Sequence, residues 1–187
     1  MSAGLQASER LAGIWTVVPE TAQAAFRVRD KLVGHAAGTI PVRSGAVRLG
    51  PGGDVESARL ELDAAAIDTG NAHRDRDLRK PHFLAAADHP TIVVEAGPTP
   101  FGGSGWTLPA TVAARGATAP VELTVALDTG TGTGTGTDTH AGAGAGAGPV
   151  VTVHVTGRLD RMPLGMRVPA FVVGRIVELD VHLTFRR

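Results

Sequence analysis

Apolar and polar residues alternate most regularly near the end of the chain, where Val177, Leu179, Val181, Leu183 and Phe185 are separated by Glu178, Asp180, His182 and Thr184. A period of two puts the apolar side chains on one face of an extended segment and the polar ones on the other, so this stretch predicts a long half-buried β-strand. Val121, Leu123, Val125 and Leu127 alternate in the same way with Glu122, Thr124 and Ala126, and Val151, Val153 and Val155 with Thr152 and His154. These two segments are expected to pair. Shorter candidates over residues 14–18, 24–29, 38–49, 55–63, 91–96 and 106–113 are bounded by Gly, Pro, Asp or Asn. About eight or nine short strands with one polar face each predict an all-β antiparallel sandwich or barrel, and closure leaves no strand edge exposed.

Two stretches depart from this pattern. Over residues 71–87, Leu78, Phe83 and Leu84 lie among charges and alanines, and Pro81 starts or breaks a turn. Ala85, Ala86 and Ala87 favour helix, so the expectation is one or two short helices covering one end of the barrel. Between Asp128 and Pro149 the chain runs TGTGTGTGTDTHAGAGAGAG, nearly free of large side chains. Such a stretch cannot bury enough area to offset its chain entropy, which predicts a disordered hairpin loop at about residues 129–149. The remainder of the chain beyond this loop is too short to be a second domain, so residues 14–187 read as one domain behind a flexible segment 1–13.

With 187 residues, 43% of them hydrophobic, the chain can bury a core. Its 18 Lys and Arg balance 18 Asp and Glu, so nothing marks a nucleic-acid partner. Residues 1–14 lack a basic start followed by an apolar core, so the expectation is a cytoplasmic protein. Gly, Pro or a charge interrupts every apolar run, and no stable membrane insertion is expected.

Candidate chemistry is sparse. Cysteine is absent, which removes disulfides and thiolate chemistry together. His73, His82 and His89 share one segment, but their spacings of nine and seven residues match no compact ligand pattern. His154 and His182 fall in the polar phase of their strands and are expected to point outward. No metal and no cofactor are expected. No Gly-x-Ser-x-Gly elbow occurs, and the glycine clusters at 50–53 and 102–105 lack the Lys-Ser or Lys-Thr of a phosphate loop, so no catalytic residue is assigned.

The stretch Asp68-Thr69-Gly70-Asn71-Ala72-His73-Arg74-Asp75-Arg76-Asp77-Leu78-Arg79-Lys80-Pro81-His82-Phe83-Leu84 resembles the signature of the YceI-like family of polyisoprenoid-binding proteins. Upstream, Trp15, Pro19, Phe26 and Val28 resemble the first two strands of that family. Downstream, Gly116-Ala117-Thr118-Ala119-Pro120-Val121 and Arg161 with Gly165-Met166 extend the likeness over roughly residues 14–186, apart from the insert. Near Leu84, Ala85, His89 and Val94 this chain departs from the family's usual side chains.

The resemblance implies an antiparallel eight-stranded lipocalin-like barrel enclosing a tunnel for a polyprenyl chain, often in a homodimer. The residues are consistent with room inside: aromatics are 4% of the chain and Tyr is absent, and a barrel of about eight strands is either filled by side chains or holds one slim ligand. Ligand-facing candidates on the strands are Phe26, Val28, Leu62, Ile92, Val94, Leu108, Val125 and Leu183, with Phe185 in the same phase. Leu78, Phe83, Met166 and Phe171 are expected at the mouth or lid. Arg74 and Asp75 stand where the family pattern has its Arg and Asp, and are expected as a buried pairing at the mouth with Arg161 across it. The expected function is binding, carriage or sequestration of an apolar lipid, a polyisoprenoid or an isoprenoid quinone or its precursor. Two alternatives stay open: an isomerase or cyclase acting on a bound lipid, and a ligand-free structural or stress-related interaction module.

Overall fold

The alternating segment at the end of the chain is the strand on which the fold closes. The computed structural model describes residues 12–30, 34–103, 105–127, 149–166, 168 and 173–187. Its ten strands are β1 (Gly13–Val17), β2 (Gln23–Asp30), β3 (Gly34–Thr39), β4 (Val42–Leu49), β5 (Val55–Asp63), β6 (Thr91–Ala96), β7 (Gly105–Ala114), β8 (Ala117–Leu127), β9 (Val150–Asp160) and β10 (Val173–Arg186). All pairings are antiparallel. The strands β1-β4-β5-β6-β7-β8-β9-β10 follow one another, and β10 returns to β1 through Thr16 opposite Arg186 and Val17 opposite Phe185. This closes an eight-stranded barrel.

The length of β10 gives the barrel its second layer of pairing. Its end holds β1, while the stretch from Val177 to His182 pairs with β2, which carries β3 on its far side. A turn at Pro19–Thr21 lets β1 and β2 lie one after the other along the same partner. The single strand expected over residues 38–49 is instead two, β3 and β4, interrupted at Ile40 and Pro41. Proline has no N–H to give to a ladder, so the strand breaks there.

The hairpin joining β7 to β8 turns on Arg115 and Gly116, both with positive φ (57° and 74°). This is the two-residue geometry whose twist matches flanking strands, and an Arg in it is strained. Strands β8 and β9 pair from Leu123 opposite Gly157 to Leu127 opposite Val153, as their alternation predicts. The loop expected between them lies, apart from Pro149, outside the described residues, as does most of segment 1–13.

Of the one or two short helices expected, the covering segment holds one, α1 (Ala72–Leu78). The Asn71 side chain accepts from the backbone N–H groups of His73 and Arg74, the usual way to satisfy a helix start. After α1 the chain runs in turns: Leu84 N–H donates to the Leu78 carbonyl and Ala86 N–H to the Arg79 carbonyl. Pro81 cannot donate, and Ala85 adopts φ 50°, which no continuing helix allows. Tertiary packing overrides the helix preference of the alanines here: the turns bury Leu84, Ala85 and Ala86. No helix among the described residues is long and apolar enough to cross a membrane.

Candidate functional site

The barrel interior is underfilled for a reason that can be read across its strands. Ala58 on β5 lies opposite Ala96 on β6, which lies opposite Ala110 on β7. All three face inward, so one row of the wall presents methyl groups where larger side chains would meet in the middle. The neighbouring row, Leu60, Val94 and Val112 in the same register, is bulky. The alanine row lines the first of two apolar cavities of about 180 Å³ each, and the small residues of the second are Ala24, Ala25 and Ala114. Both cavities are bordered by Leu60, Val94 and Val112 on one wall and by Leu179 and Val181 of β10 on the other, which together form a waist.

One cavity lies toward the end marked by Trp15, Phe101, Trp106 and Phe185. Phe101 and Trp106 meet edge to face there, ring centroids 5.1 Å apart. The other lies beneath α1 and its turns, against Leu78, Phe83, Leu84, Leu164 and Met166. Leu108, Val125, Leu183 and Phe185 line the first cavity, Phe26, Val28, Leu62, Leu78, Phe83, Ile92 and Met166 line the second, and Val94 borders both. Phe171 lies outside the described residues. Sequence reasoning missed Trp15, Val17, Leu60, Leu179 and Val181 as wall residues. Leu179 and Val181 share the phase of Leu183, so the alternation itself was the available signal.

The polar residues at the covered end are arranged differently from the expected pairing. The carboxylate of Asp75, buried at 7% exposure, accepts the backbone N–H of Thr69 at 2.9 Å and its hydroxyl at 2.6 Å. That hydroxyl in turn accepts from Arg74 Nε at 3.0 Å. Arg74 and Asp75 are therefore joined through Thr69, because its hydroxyl stands between them. Arg161 does not pair with either. Its guanidinium is buried at 2% exposure and donates to the carbonyls of Gly174 (2.8 Å), Met166 (3.4 Å), Val168 (2.9 Å) and Val173 (2.7 Å). Backbone carbonyls substitute for a carboxylate, satisfying a buried cation with the dipoles of Met166 and Val168, which follow the turn at Met162–Leu164, and of the start of β10. Burial lowers the Arg161 pKa, with Asp160 opposing the shift. A guanidinium starts so far above neutrality that it stays charged.

The chemistry this interior can perform is set by the residues that line it. The charged residues in the two walls are Arg59 and Arg161. The Arg59 head is half-exposed and held by Glu61 at 2.8 Å and by Glu95. Arg161 spends all but one of its N–H groups on carbonyls. None of the described residues lining either cavity carries a carboxylate, an imidazole or a hydroxyl. The interior offers dispersion contacts and exclusion of water.

Comparison with known proteins agrees with this architecture. The YceI-like domain model matches residues 15–185. Among solved structures, that of BcnA from Burkholderia cenocepacia superposes with a TM-score of 0.67 at 16% identity, covering 90% of this chain and 98% of that one. A domain from Saccharophagus degradans, described as polyisoprenoid binding and implicated in plant cell wall breakdown, gives 0.62 at 13% identity, covering 92% of this chain and 97% of its own. The YCEI protein of Campylobacter jejuni gives 0.61 at 12% identity, covering 76% of this chain and 80% of that one. No curated protein matches the sequence.

Proposed function

The chain belongs to the YceI-like domain family, and on that premise we propose that it binds a long apolar lipid of polyisoprenoid type inside its barrel and carries or sequesters it. An isoprenoid quinone or its precursor belongs to the same chemical class. The observation that carries this reading is the pair of waisted cavities whose walls, apart from two arginines, are hydrocarbon and aromatic.

Energetics favour occupancy. A ligand that fills this space gains dispersion contacts with its apolar lining. Each methylene moved into it from water returns about 0.8 kcal/mol. A chain of several isoprene units therefore binds without any strong polar contact, and the waist at Val94 and Leu179 selects for a slim one. The description of the Saccharophagus degradans domain as polyisoprenoid binding supports the same ligand class.

The test is organic extraction and native mass spectrometry of the protein purified from its own source. Delipidated protein is then melted with and without a polyprenyl alcohol, and with a saturated fatty acid as the comparison. A co-purifying isoprenoid and a melting temperature raised by the polyprenyl alcohol are expected. Lipid-free extracts together with no shift in melting temperature would end the proposal.

A further inference from the structure

The outer face of the barrel carries a side-chain cluster that the lipid cavities do not use. His154 on β9 stands directly opposite His182 on β10, and Asp180 lies two residues earlier on the same face. The two imidazoles stack, with centroids 4.2 Å apart and planes 10° from parallel. Both rings approach one carboxylate oxygen: Asp180 Oδ1 is 2.9 Å from His154 Nε2 and 3.5 Å from His182 Nδ1. One ligand atom from each of the three residues lies within 4.8 Å of the others.

From this geometry we propose that His154, Asp180 and His182 bind a divalent transition-metal cation of the zinc, nickel or copper class. Donor atoms about 2.0–2.2 Å from a shared ion sit roughly 2.8–3.6 Å apart at angles between octahedral and tetrahedral. The two separations from Asp180 Oδ1, 2.9 and 3.5 Å, fall in that range, and the two imidazole nitrogens lie within 4.8 Å of each other. Two imidazoles and one carboxylate suit this class of ion, whereas magnesium and calcium prefer all-oxygen sets. The ladder of β9 and β10 runs unbroken from Ile176 opposite Asp160 to Arg186 opposite Val150, so the three Cα positions are held by a rigid sheet.

The neighbourhood suits a cation. Across the sheet, His182 is flanked by Gln23 and His154 by Ala126, while Asp180 is flanked by Ala25 and Thr156. Along the strands one adjoining row is Thr152 and Thr184; the other, Arg158, Glu178 and Arg27, holds the nearest charges in register. Binding requires the stacked rings to splay so that each presents a nitrogen in its own plane. Both side chains are more than a third exposed, and the terminal imidazole torsion is broad, so the movement is cheap. Three protein ligands leave a coordination position for water or for a donor from another molecule. The site is independent of the lipid, because the inward phase of these strands is Val153, Val155, Val181 and Leu183.

Untagged protein stripped with a chelator and titrated calorimetrically with zinc chloride tests the proposal. One zinc per chain is expected. Loss of a group one shell out from a metal costs about 10–100-fold in affinity, so His154→Ala and His182→Ala are each expected to weaken binding at least tenfold. Asp180→Asn weakens it less, and His89→Ala, which removes one of the seven histidines, leaves it unchanged. Copper is expected to broaden the ring proton resonances of His154 and His182 ahead of those of His35 and His73. Binding that survives unchanged in the double variant His154→Ala/His182→Ala, or wild-type protein that takes up no zinc, would overturn the site. Melting curves of the metal-free variants verify that each is folded.

Discussion

Arg115 donates from Nη2 to the carbonyl of Pro81 at 2.7 Å, tying the β7–β8 hairpin to the turns that cover one end of the barrel. A second bond, from Nη1 to the Leu164 carbonyl at 3.3 Å, reaches the turn before β10. One strained residue thus holds two covering segments, and the strain and the ties can be separated by substitution. Arg115→Gly keeps the left-handed turn and loses the ties; Arg115→Ala loses the ties and keeps the strain. Both are expected to lower the melting temperature, Ala more than Gly. In hydrogen exchange, the Leu84 and Ala86 amides should lose protection before those of β7 and β8. Wild-type protection of Leu84 and Ala86 in both variants would show that the cover is held by its own packing.

Ala96 occupies the centre of the row Ala58, Ala96 and Ala110, so a larger side chain there enters the cavity and not the close-packed wall. Ala96→Leu adds three carbons to an apolar space, a gain of about 2 kcal/mol where they fit without strain. The expected outcome is a raised melting temperature of the lipid-free protein together with loss of any further rise on adding a polyprenyl alcohol. Ala119→Leu is the contrast. Ala119 is fully buried and lines neither cavity, so overpacking there is expected to cost about 1–3 kcal/mol. Equal destabilisation by the two substitutions would mean that the row at Ala96 is not open space.

The difference between these two alanines shows what the sequence could and could not reveal. Alternation from Val177 to Phe185 exposed a long half-buried strand and its apolar phase, and in the structure Leu183 of that phase, with Leu108 and Val125, lines the first cavity. Alternation says nothing about register. That Ala58, Ala96 and Ala110 share one row depends on pairing between strands far apart in the chain, and so does the meeting of His154 with His182. Local propensity failed where tertiary packing governs. Ala85 sits at φ 50° because the turn around it buries Leu84 and Ala86, a demand that no helix scale contains. Arg74 and Asp75 were legible as a polar pair, but the Thr69 hydroxyl between them was not.

Gly38 permits a close crossing between β3 and the segment leading to α1. A Cβ there would stand 2.6 Å from the Asp68 carbonyl oxygen and 2.8 Å from both Phe26 Cζ and Thr69 Cγ2. The carbonyl cannot move aside freely, since it accepts from Thr39 N–H at 2.8 Å. Gly38→Ala is therefore expected to destabilise by about 1–3 kcal/mol in urea denaturation, more than the small gain from reduced chain entropy. Gly97→Ala, where an added Cβ meets nothing within 4 Å, is the matched control and should be close to neutral. A neutral Gly38→Ala would mean that the Asp68 connection is not held against β3.

Asp160 accepts from Arg175 Nε at 2.8 Å and from the Met162 backbone N–H at 3.0 Å, so it spans the turn that leads to β10. The bond from Arg175 first, and then that from Met162, hold its carboxyl below the ordinary aspartate value despite an opposing desolvation. A pKa lowered by folding means that the unfolded chain takes up the proton first. The stabilisation is therefore complete above the ordinary value of about 3.9 and disappears as pH falls through the folded one. Asp160→Asn removes the charge while leaving an oxygen for Met162. The stability gap between wild type and this variant, from urea denaturation at a series of pH values, should be constant from pH 7 to about pH 5 and close progressively below about pH 4. It should also shrink in high salt at pH 7, since the Arg175 side chain is 64% exposed. A gap that stays the same down to about pH 2 would show that Asp160 acts through its hydrogen bond to Met162 and not through its charge.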